Sequence, residues 1–268
     1  MKKSFISDTA KLALGIHSWL VYLFLYLPVI ILIVFSFNAS RINAVWSGFT
    51  LNWYHDLLVN TNMMIALKNS LIVAITSTVI STIIGTLTAL AMHRYNFFGK
   101  RLFDLVLYMP IIIPDIVMGI SLAIFYNIIR FVFGLFPIIV AHVAFNISFV
   151  TVIVKSRLHG YNKSLDEAAM DLGANPLQTF LKVTLPLISP GVIGGALIAF
   201  TLSFDDYLIT SFVQPPGSNT LPIHVYSMIK TRVTPEINAL STIILAFTMI
   251  LVLSAQKLIW GTNNGKNN

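Results

Sequence analysis

The sequence lacks cysteine and has few charged residues. Of its 268 residues, 10% are Asp, Glu, Lys or Arg, while 56% are hydrophobic. The missing cysteines exclude disulfide bonds and thiol catalysis. Soluble domains typically carry about 25% charged residues, so this composition excludes an ordinary soluble domain and indicates an integral membrane protein. The net charge of +7 is then a guide to topology rather than to nucleic-acid binding.

Motifs of enzyme chemistry are also lacking. ATP binding by a P-loop requires the pattern G-x-x-x-x-G-K-[ST]. The two Gly-Lys pairs, Gly99-Lys100 and Gly265-Lys266, lack the upstream glycine and the following Ser or Thr. The chain has no H-E-x-x-H motif and no nucleophile elbow. We therefore expect no catalytic residue, no metal site and no cofactor in this chain, and no nucleic-acid partner.

Six apolar segments are long enough to cross a lipid bilayer, which takes about 20 residues for each helix. In chain order they run over residues 17–37, 70–92, 102–128, 135–154, 187–213 and 239–259. They predict an all-α, polytopic membrane protein with a tail at 1–16, a six-helix domain at 17–260 and a polar tail at 261–268. The first segment is longer than a signal-peptide core and no A-x-A site follows it, so we expect an uncleaved span.

The distribution of Lys and Arg predicts the orientation of these spans. Twelve of the 17 basic residues fall in the two tails and in the second and fourth loops, and five fall on the other side. Cytoplasmic segments carry the excess of Lys and Arg, so both termini are predicted to be cytoplasmic. The loop at residues 162–186 then also lies in the cytoplasm.

This cytoplasmic loop has the pattern of two short helices. Ser164 and Glu167 match the S-x-x-E capping box, which predicts a helix that starts at Ser164. Gly173 suits a helix C-terminus with positive φ. Asn175 and the proline after it suit the start of a second helix, and Pro186 is expected to end the unit. Such a pair of helices is either a plain connector between two spans or a docking surface for a cytoplasmic partner.

The same loop resembles the EAA motif of type I ABC importer permeases. The matching residues are Glu167, Ala168 and Ala169, then Gly173 after three residues, then Val183, Leu185 and Pro186. The one departure is Val183, where the motif has Ile. The resemblance implies that this loop inserts into a groove of a separate ATP-binding subunit, which binds ATP and Mg.

Acidic residues inside apolar spans are rare and point to function. Asp115 lies near the middle of the third span, beside Pro110 and Pro114. Two prolines four residues apart should kink or open the helix, and such a break is tolerated where it faces protein or a water-filled cavity. Asp115 is therefore expected to point into a cavity. Asp104, near Arg101 at the cytoplasmic edge, is expected to be solvated or ion-paired.

Asp205 and Asp206 stand side by side in the fifth span. Neighbouring positions on a helix point about 100° apart, so we expect one carboxylate to face a pathway and the other a neighbouring span or a partner subunit. No basic residue is expected deep in any span to pair with these acids. A path lined by carboxylates favours cations and repels anions.

A polycation with spaced charges would suit separated carboxylates together with aromatic rings. The candidate rings are Trp46, Trp53, Tyr54, Tyr108, Tyr126 and Tyr207. For most of them the alternative is the aromatic belt at the membrane interface.

Extended segments resemble the spermidine/putrescine permeases of ABC importers. They include LPVIILIVFSFNAS, MPIIIPDIVMGISL and FTLSFDDYLITSFV, and the similarity covers most of the chain from about residue 27 to 253, with a transmembrane core at about 65–255. The resemblance implies a role in a polyamine pathway for Asp115, Asp205, Asp206 and Trp46, to which Tyr108 and Tyr207 are added as candidate aromatic contacts. It implies ATPase coupling through Glu167, Ala168, Ala169, Gly173, Leu185 and Pro186.

The implied partners are a homologous second permease subunit, a dimer of ATP-binding subunits and a periplasmic or extracellular polyamine-binding protein, in a bacterial cytoplasmic membrane. Three alternatives remain open from the sequence: a permease for another organic cation, an ion-coupled secondary transporter with Asp115 as its ion site, and a membrane anchor without transport. Small residues in the fifth span, among them Gly191, Gly194 and Gly195, predict close helix packing. Asn146 and Ser148 are expected to hydrogen-bond between helices.

Overall fold

The structure, a computed structural model, describes residues 8–40, 45–131, 134–231 and 234–264. The helices within these residues are, in chain order, α1 Asp8–Phe35, α2 Asn52–Val59, α3 Thr61–Arg94, α4 Lys100–Ile112, α5 Asp115–Ile128, α6 Phe136–Leu158, α7 Ser164–Asp171, α8 Pro176–Thr179, α9 Leu185–Phe204, α10 Leu208–Val213, α11 Leu221–Thr231 and α12 Pro235–Asn264. The predicted all-α, polytopic class is confirmed.

Within the described residues, five helical stretches are long and apolar enough to cross a membrane, and α4 with α5 makes a sixth if the two are counted as one span. Helix α1 begins at Asp8 and α12 continues to Asn264, so both extend into the ranges predicted as tails. Residues 1–7 and 265–268 of those tails lie outside the described residues.

The chain divides into two compact units. The described residues of one lie within 1–60 and 227–249, and those of the other within 61–226 and 250–268. In the first unit, the strand-like segment after α1 forms an antiparallel bridge between Asn38 and Phe49. The Trp53 indole N–H donates to the carbonyl of the fully buried Asn38 at 2.7 Å. These bonds fix the segment that follows the first apolar helix.

The second unit is built around α3, α6 and α9, which pack against one another. Val150 of α6 is fully buried where the glycines Gly85 of α3 and Gly195 of α9 approach it. A Cβ added at Gly85 would lie 2.8 Å from the Val150 side chain, and one at Gly195 would lie 3.3 Å from it. The prediction that small residues of the fifth span permit close packing is confirmed at Gly195.

A chain of polar side chains links the same three helices. Ser203 of α9 accepts a hydrogen bond from the Asn146 amide of α6 at 2.8 Å and shares one with Ser77 of α3 at 2.9 Å. All three residues are buried. The predicted interhelical role of Asn146 is confirmed, and such bonds help to fix the register of helices in a membrane.

The third predicted span is sharply bent. Helix α4 continues through Pro110 and ends at Ile112, and α5 begins at Asp115, with an angle of 107° between the two axes. The break therefore lies at Pro114. This residue has no backbone N–H, so it cannot donate the hydrogen bond that would continue the helix. The prediction of a broken helix is confirmed, with one proline rather than two at the break.

The fifth predicted span, residues 187–213, is wrong as a single helix. Helix α9 ends at Phe204, and a short break precedes α10. The backbone of Asp205 has φ −102° and ψ 4°, outside the regular helix. The residues on both sides of the break are apolar and form one continuous hydrophobic run. The hydrophobic pattern of the sequence therefore does not reveal the break.

Candidate functional site

A cavity of about 440 Å³ lies in the second unit, between the broken helix pair α4–α5 and the break that follows α9. It brings together four of the predicted pathway residues, namely Asp115, Asp205, Asp206 and Tyr207. The rest of the lining is Pro110, Ile111, Phe145, Phe149, Leu202, Leu208 and Ile209. Among the described residues, three carboxylic acids and no Lys or Arg thus line one cavity, together with mostly apolar side chains.

The break at Pro114 places Asp115 on this cavity. Asp115 is the first residue of α5, and its side chain is exposed. Within the described ranges, no side chain donates a hydrogen bond to its carboxylate. The expectation that Asp115 would point into a cavity agrees with this placement.

Asp206 is held tightly by its own chain. Its Oδ2 accepts hydrogen bonds from the Thr210 backbone N–H and from the Thr210 hydroxyl, both at 2.7 Å. Its Oδ1 accepts from the Ile209 backbone N–H at 3.3 Å. The side chain of Asp206 keeps only 10% of its accessible surface. Asp206 therefore caps the N-terminal turn of α10, as acidic residues commonly do.

A buried histidine pairs with Asp206. His142 of α6 is 1% exposed, and its Nε2 lies 3.3 Å from Asp206 Oδ2 and 3.0 Å from Thr210 Oγ1. The prediction that no basic residue lies deep in a span is wrong. A lone histidine in the middle of the apolar stretch FPIIVAHVAFNISFV was the signal that could have identified it.

Asp205 has a different environment from its neighbour. Its backbone N–H bonds to the Thr201 carbonyl at the end of α9, and its side chain is exposed. Among the residues that the structure describes, no side chain hydrogen-bonds to this carboxylate. The sequence predicted that the two acids differ in direction because neighbouring helix positions point about 100° apart. Instead, the helix ends at Phe204, and the break after it gives the two acids their different surroundings.

The predicted aromatic residues fall in several places. Tyr207 lines the cavity and packs against Tyr226, with ring centroids 4.4 Å apart. Tyr108 is not among the lining residues, and Lys155 Nζ lies 5.8 Å from its ring centroid. Trp46 belongs to the first unit, where it meets Phe35 edge-on at 6.3 Å.

The other three aromatic residues proposed as pathway contacts form hydrogen bonds to groups within the protein. The buried Tyr126 donates its hydroxyl hydrogen to the Pro137 carbonyl at 3.1 Å. Tyr54 shares a hydrogen bond with Ser36 at 2.7 Å. With the bond from Trp53 described above, these three rings hold the fold together.

Asp104 forms an ion pair, as expected, but with a different residue from its sequence neighbour. Its Oδ1 lies 2.6 Å from Lys155 Nζ of α6. The side chains keep 35% and 22% of their surface respectively, so the pair is partly solvated. Asp104 therefore joins α4 to α6 and does not line the cavity.

The loop at residues 162–186 has the two predicted helices, α7 and α8. Helix α7 starts at Ser164 as predicted, but the Ser164–Glu167 capping box is not formed, because the side chain of Asn162 accepts the Ser164 N–H instead, at 3.1 Å. Gly173 has φ +92°, as predicted for a residue that ends a helix. Asn175 caps α8 in a full capping box with Gln178.

Pro186 does not end this unit. Residues 180–184 form a π-helical turn, and the helix runs on from Pro176 to Phe204. In a regular α-helix the ring of Pro186 would clash with the backbone carbonyl four residues earlier. That carbonyl belongs to the wider π-helical turn, which removes this conflict. The loop is thus continuous with the apolar helix α9.

A buried acid that the sequence reading passed over fixes this loop. Asp166 Oδ2 lies 2.5 Å from Arg94 Nη2 at the end of α3, and Asp166 Oδ1 accepts hydrogen bonds from the hydroxyls of Tyr161 and Thr184. Arg94 also donates to Thr184 at 3.1 Å. Burial and the hydrogen bond to Asp166 raise the pKa of Tyr161. In the sequence, an acid next to Glu167 and an Arg at the end of a predicted span were the only indications of this cluster.

The predicted coupling residues lie around this cluster. Glu167 and Ala168 are exposed, and three leucines farther along the loop are exposed as well: Leu172 at 90%, Leu177 at 65% and Leu181 at 51%. Leu185 is partly buried at the start of α9. Within the described part of the chain, His, Asp and Glu form no group of three that could hold a metal ion.

Comparison with known proteins identifies relatives over most of the chain. Residues 81–259 match the family described as "Binding-protein-dependent transport system inner membrane component". The spermidine/putrescine transport system permease protein PotC of Escherichia coli (strain K12) is 42% identical over 236 residues, which is 88% of this chain and 89% of that protein. The putrescine transport system permease protein PotI of the same strain is 41% identical over 84% of this chain and 82% of that protein.

Solved structures share the fold at low sequence identity. A bacterial ABC transporter involved in the import of the acidic polysaccharide alginate aligns with a TM-score of 0.71 and 17% identity, over 95% of this chain and 99% of that chain. The MetNI methionine ABC transporter aligns with a TM-score of 0.62 and 18% identity, over 76% and 99%. The chain is a multi-pass membrane protein and belongs to the family of binding-protein-dependent transport system inner membrane components, the permease subunits of ABC importers, which are not themselves enzymes.

Proposed function

We propose that this chain forms the translocation path for polyamines, such as spermidine and putrescine, in an ATP-driven importer of a bacterial cytoplasmic (inner) membrane. The observation that carries the substrate class is the cavity, since Asp115, Asp205 and Asp206 line it and no Lys or Arg of the described residues does. Carboxylates that line a translocation path attract cations and repel anions. The names of the relatives at 42% and 41% identity support the same class.

The substrate has to be argued from these acids, because the fold does not determine it. The same fold occurs in transporters of an acidic polysaccharide and of methionine. An ammonium group that enters the cavity exchanges its water for carboxylate oxygens, and the apolar lining suits the methylene chain between charges. Tyr207 adds a ring face for cation–π contact. Trp46 and Tyr108 are proposed as further contacts along the path.

The cytoplasmic loop is the proposed docking surface for the ATP-binding subunit. Glu167 and the exposed leucines Leu172 and Leu177 present one charge and an apolar surface that a groove in that subunit would cover. Ala168, Ala169, Gly173, Leu185 and Pro186 complete the proposed coupling set. Because α8 continues into α9, a push on the loop moves a helix that ends at Phe204, directly before Asp205.

The proposed assembly contains this chain, a homologous second permease subunit and two ATP-binding subunits, which bind ATP and Mg. A polyamine-binding protein delivers the solute to the outer face, which is periplasmic or extracellular. Both termini and the loop at 162–186 face the cytoplasm, as the Lys and Arg distribution predicts.

Reconstitution of the complete assembly in proteoliposomes tests this function. We expect spermidine or putrescine, added with the binding protein, to stimulate ATP hydrolysis, and Asp115→Asn to weaken transport while the subunits still co-purify. An organic cation of another type that stimulates hydrolysis when polyamines do not would move the chain to a related importer. Uptake that proceeds without ATP would instead favour an ion-coupled transporter.

The coupling role has its own test. Glu167→Ala is expected to lower the stimulation of ATP hydrolysis by loaded binding protein, or to release the ATP-binding subunit during purification. Asp171→Asn, at the exposed end of the same helix α7, is the matched control. Equal behaviour of the two variants would contradict the assignment of Glu167.

A further inference from the structure

We infer that Asp205, together with Asp115, receives an ammonium group of the solute, and that Asp206 is a positioning residue that Thr210 and His142 hold in place. This inference rests on the proposed import of polyamines. It assigns separate roles to two adjacent carboxylates that the sequence leaves equivalent.

The hydrogen-bonding capacity of Asp206 is largely used inside the protein. A carboxylate offers about four lone-pair sites. Two N–H groups and one hydroxyl, all from residues 209 and 210, already bond to it at 2.7 to 3.3 Å. A solute ammonium that took these sites would leave buried backbone donors without a partner, which is costly.

His142 adds a fourth group on the same carboxylate. The Thr210 hydroxyl has one hydrogen and donates it to Asp206, so toward His142 it can only accept. The 3.0 Å contact between His142 Nε2 and Thr210 Oγ1 therefore assigns the proton to Nε2. That N–H also lies 3.3 Å from Asp206 Oδ2. His142, Thr210 and Asp206 thus form one buried unit that ties α6 to α10.

Asp205 has the opposite properties. Its side chain is exposed to the cavity that it lines, and no side chain of the described residues bonds to it. The same holds for Asp115 at the start of α5. A carboxylate that lines a cavity without a hydrogen-bond donor gains most from a charged donor such as an ammonium group.

The ring of His142 lies behind the wall of the cavity and supports it. It packs against Phe145, with ring centroids 5.3 Å apart, and Phe145 is a lining residue. The unit of His142, Thr210 and Asp206 therefore sets the position of one wall and of the chain break that carries Asp205. Asp206 acts on the solute through Asp205 and the wall, not by contact.

Labelling of single cysteines tests this division of roles. The chain has no native cysteine, so Asp205→Cys and Asp206→Cys each place one thiol in this subunit. In the assembled complex, a small cationic methanethiosulfonate reagent should modify the cysteine at 205 about tenfold faster than the one at 206, because reaction requires access. Spermidine should slow the reaction at 205. Modification is read on this subunit by mass spectrometry.

If Asp206→Cys destabilises the wall of the cavity, measurements on variants of Thr210 still test the proposal. Thr210→Val removes the hydroxyl but keeps the size of the side chain, and Thr210→Ser keeps the hydroxyl. We expect Thr210→Val to lower the thermal stability of the complex and to weaken spermidine binding less than Asp205→Asn does, because Thr210 acts through the wall and not by contact, and we expect Thr210→Ser to restore both properties. Asp205→Asn should weaken spermidine binding by about tenfold or more.

The outcomes separate the two proposals. Equal labelling of both cysteines with equal protection by spermidine, or a loss of spermidine affinity in Thr210→Val as large as in Asp205→Asn, would overturn the division of roles. If spermidine protects neither cysteine and binds none of the variants or the wild type, the polyamine function fails instead. Faster labelling at 205 would then still assign the accessible carboxylate.

Discussion

Arg94 and Asp166 are 72 positions apart in the sequence and form an ion pair between the end of α3 and the first turn of α7. Tyr161 and Thr184 share the same carboxylate, so four segments meet at one acid. This cluster fixes the loop at residues 162–186 to α3 as well as to α9. A force on the loop is therefore transmitted to two apolar helices rather than to the one that follows it in the chain.

Loss of Asp166 should loosen the loop. Asp166→Ala leaves the Arg94 guanidinium and the hydroxyls of Tyr161 and Thr184 without their shared acceptor. We expect the free energy of unfolding to fall by roughly 2–4 kcal/mol. The lower end of this range applies, because the Arg94 side chain is 32% exposed. Hydrogen exchange of residues 161–171 should accelerate in the variant. The exposed Asp171→Ala in the same helix serves as control, and an identical exchange pattern in both variants would show that the cluster does not hold the loop.

Tyr161 should make stability depend on alkaline pH. Its pKa is raised in the folded chain by burial and by the bond to Asp166, so the folded chain holds this proton more tightly than the unfolded chain. The stabilisation is complete below the ordinary tyrosine pKa of about 10 and is lost as pH rises through the raised folded value. Thermal melts from pH 8 to 11 should show a steeper loss for wild type than for Tyr161→Phe. Parallel curves would contradict this prediction.

The glycine contacts of Val150 predict a packing defect. A Cβ at Gly85 would lie 2.8 Å from Val150 and 3.1 Å from the Ile147 carbonyl, and neither atom is the end of a flexible chain. Gly85→Ala should cost about 1–3 kcal/mol as the helices α3 and α6 separate. At Gly194 the nearest atom to an added Cβ is 3.9 Å away, so Gly194→Ala should leave the melting temperature unchanged. A drop of equal size in both would exclude the packing explanation.

Local patterns in the sequence were sufficient for the features that depend on neighbouring residues. The positive φ of Gly173, the cap at Asn175 and the break at Pro114 each follow from the chemistry of one or two residues. The helical class and the approximate positions of the spans follow from long apolar runs. The cavity acids Asp115 and Asp205 were found because charge inside an apolar run is conspicuous.

Contacts between distant segments could not be read in this way. His142 and Thr210 are 68 positions apart, and nothing in the residues around either one specifies the other. The same is true of Arg94 and Asp166. The end of α9 at Phe204 was missed because the residues after the break are as apolar as those before it. Each of these features depends on how helices pack, which periodicity along one helix does not encode.

The orientation of the chain is a separate prediction. Asn219 lies between α10 and α11, and the excess of Lys and Arg on the opposite side places this segment outside the cytoplasm. Alkaline phosphatase fused at Asn219 should be active, because the enzyme matures only outside the cytoplasm. A fusion in the loop at residue 163 is the matched control and should be inactive. Reversed activities would invert the proposed topology and place the Asp166 cluster on the outer side.

The central claim is that an acidic cavity in this chain passes polyamines, and ATP-driven uptake into proteoliposomes tests it most directly. With the second permease subunit, the ATP-binding subunits and the polyamine-binding protein present, wild type should accumulate labelled spermidine or putrescine only with ATP. Asp115→Asn and Asp205→Asn should reduce this uptake by about tenfold or more in complexes that still assemble, given the charge lost from the path. Full polyamine uptake by the double variant Asp115→Asn with Asp205→Asn would contradict the account.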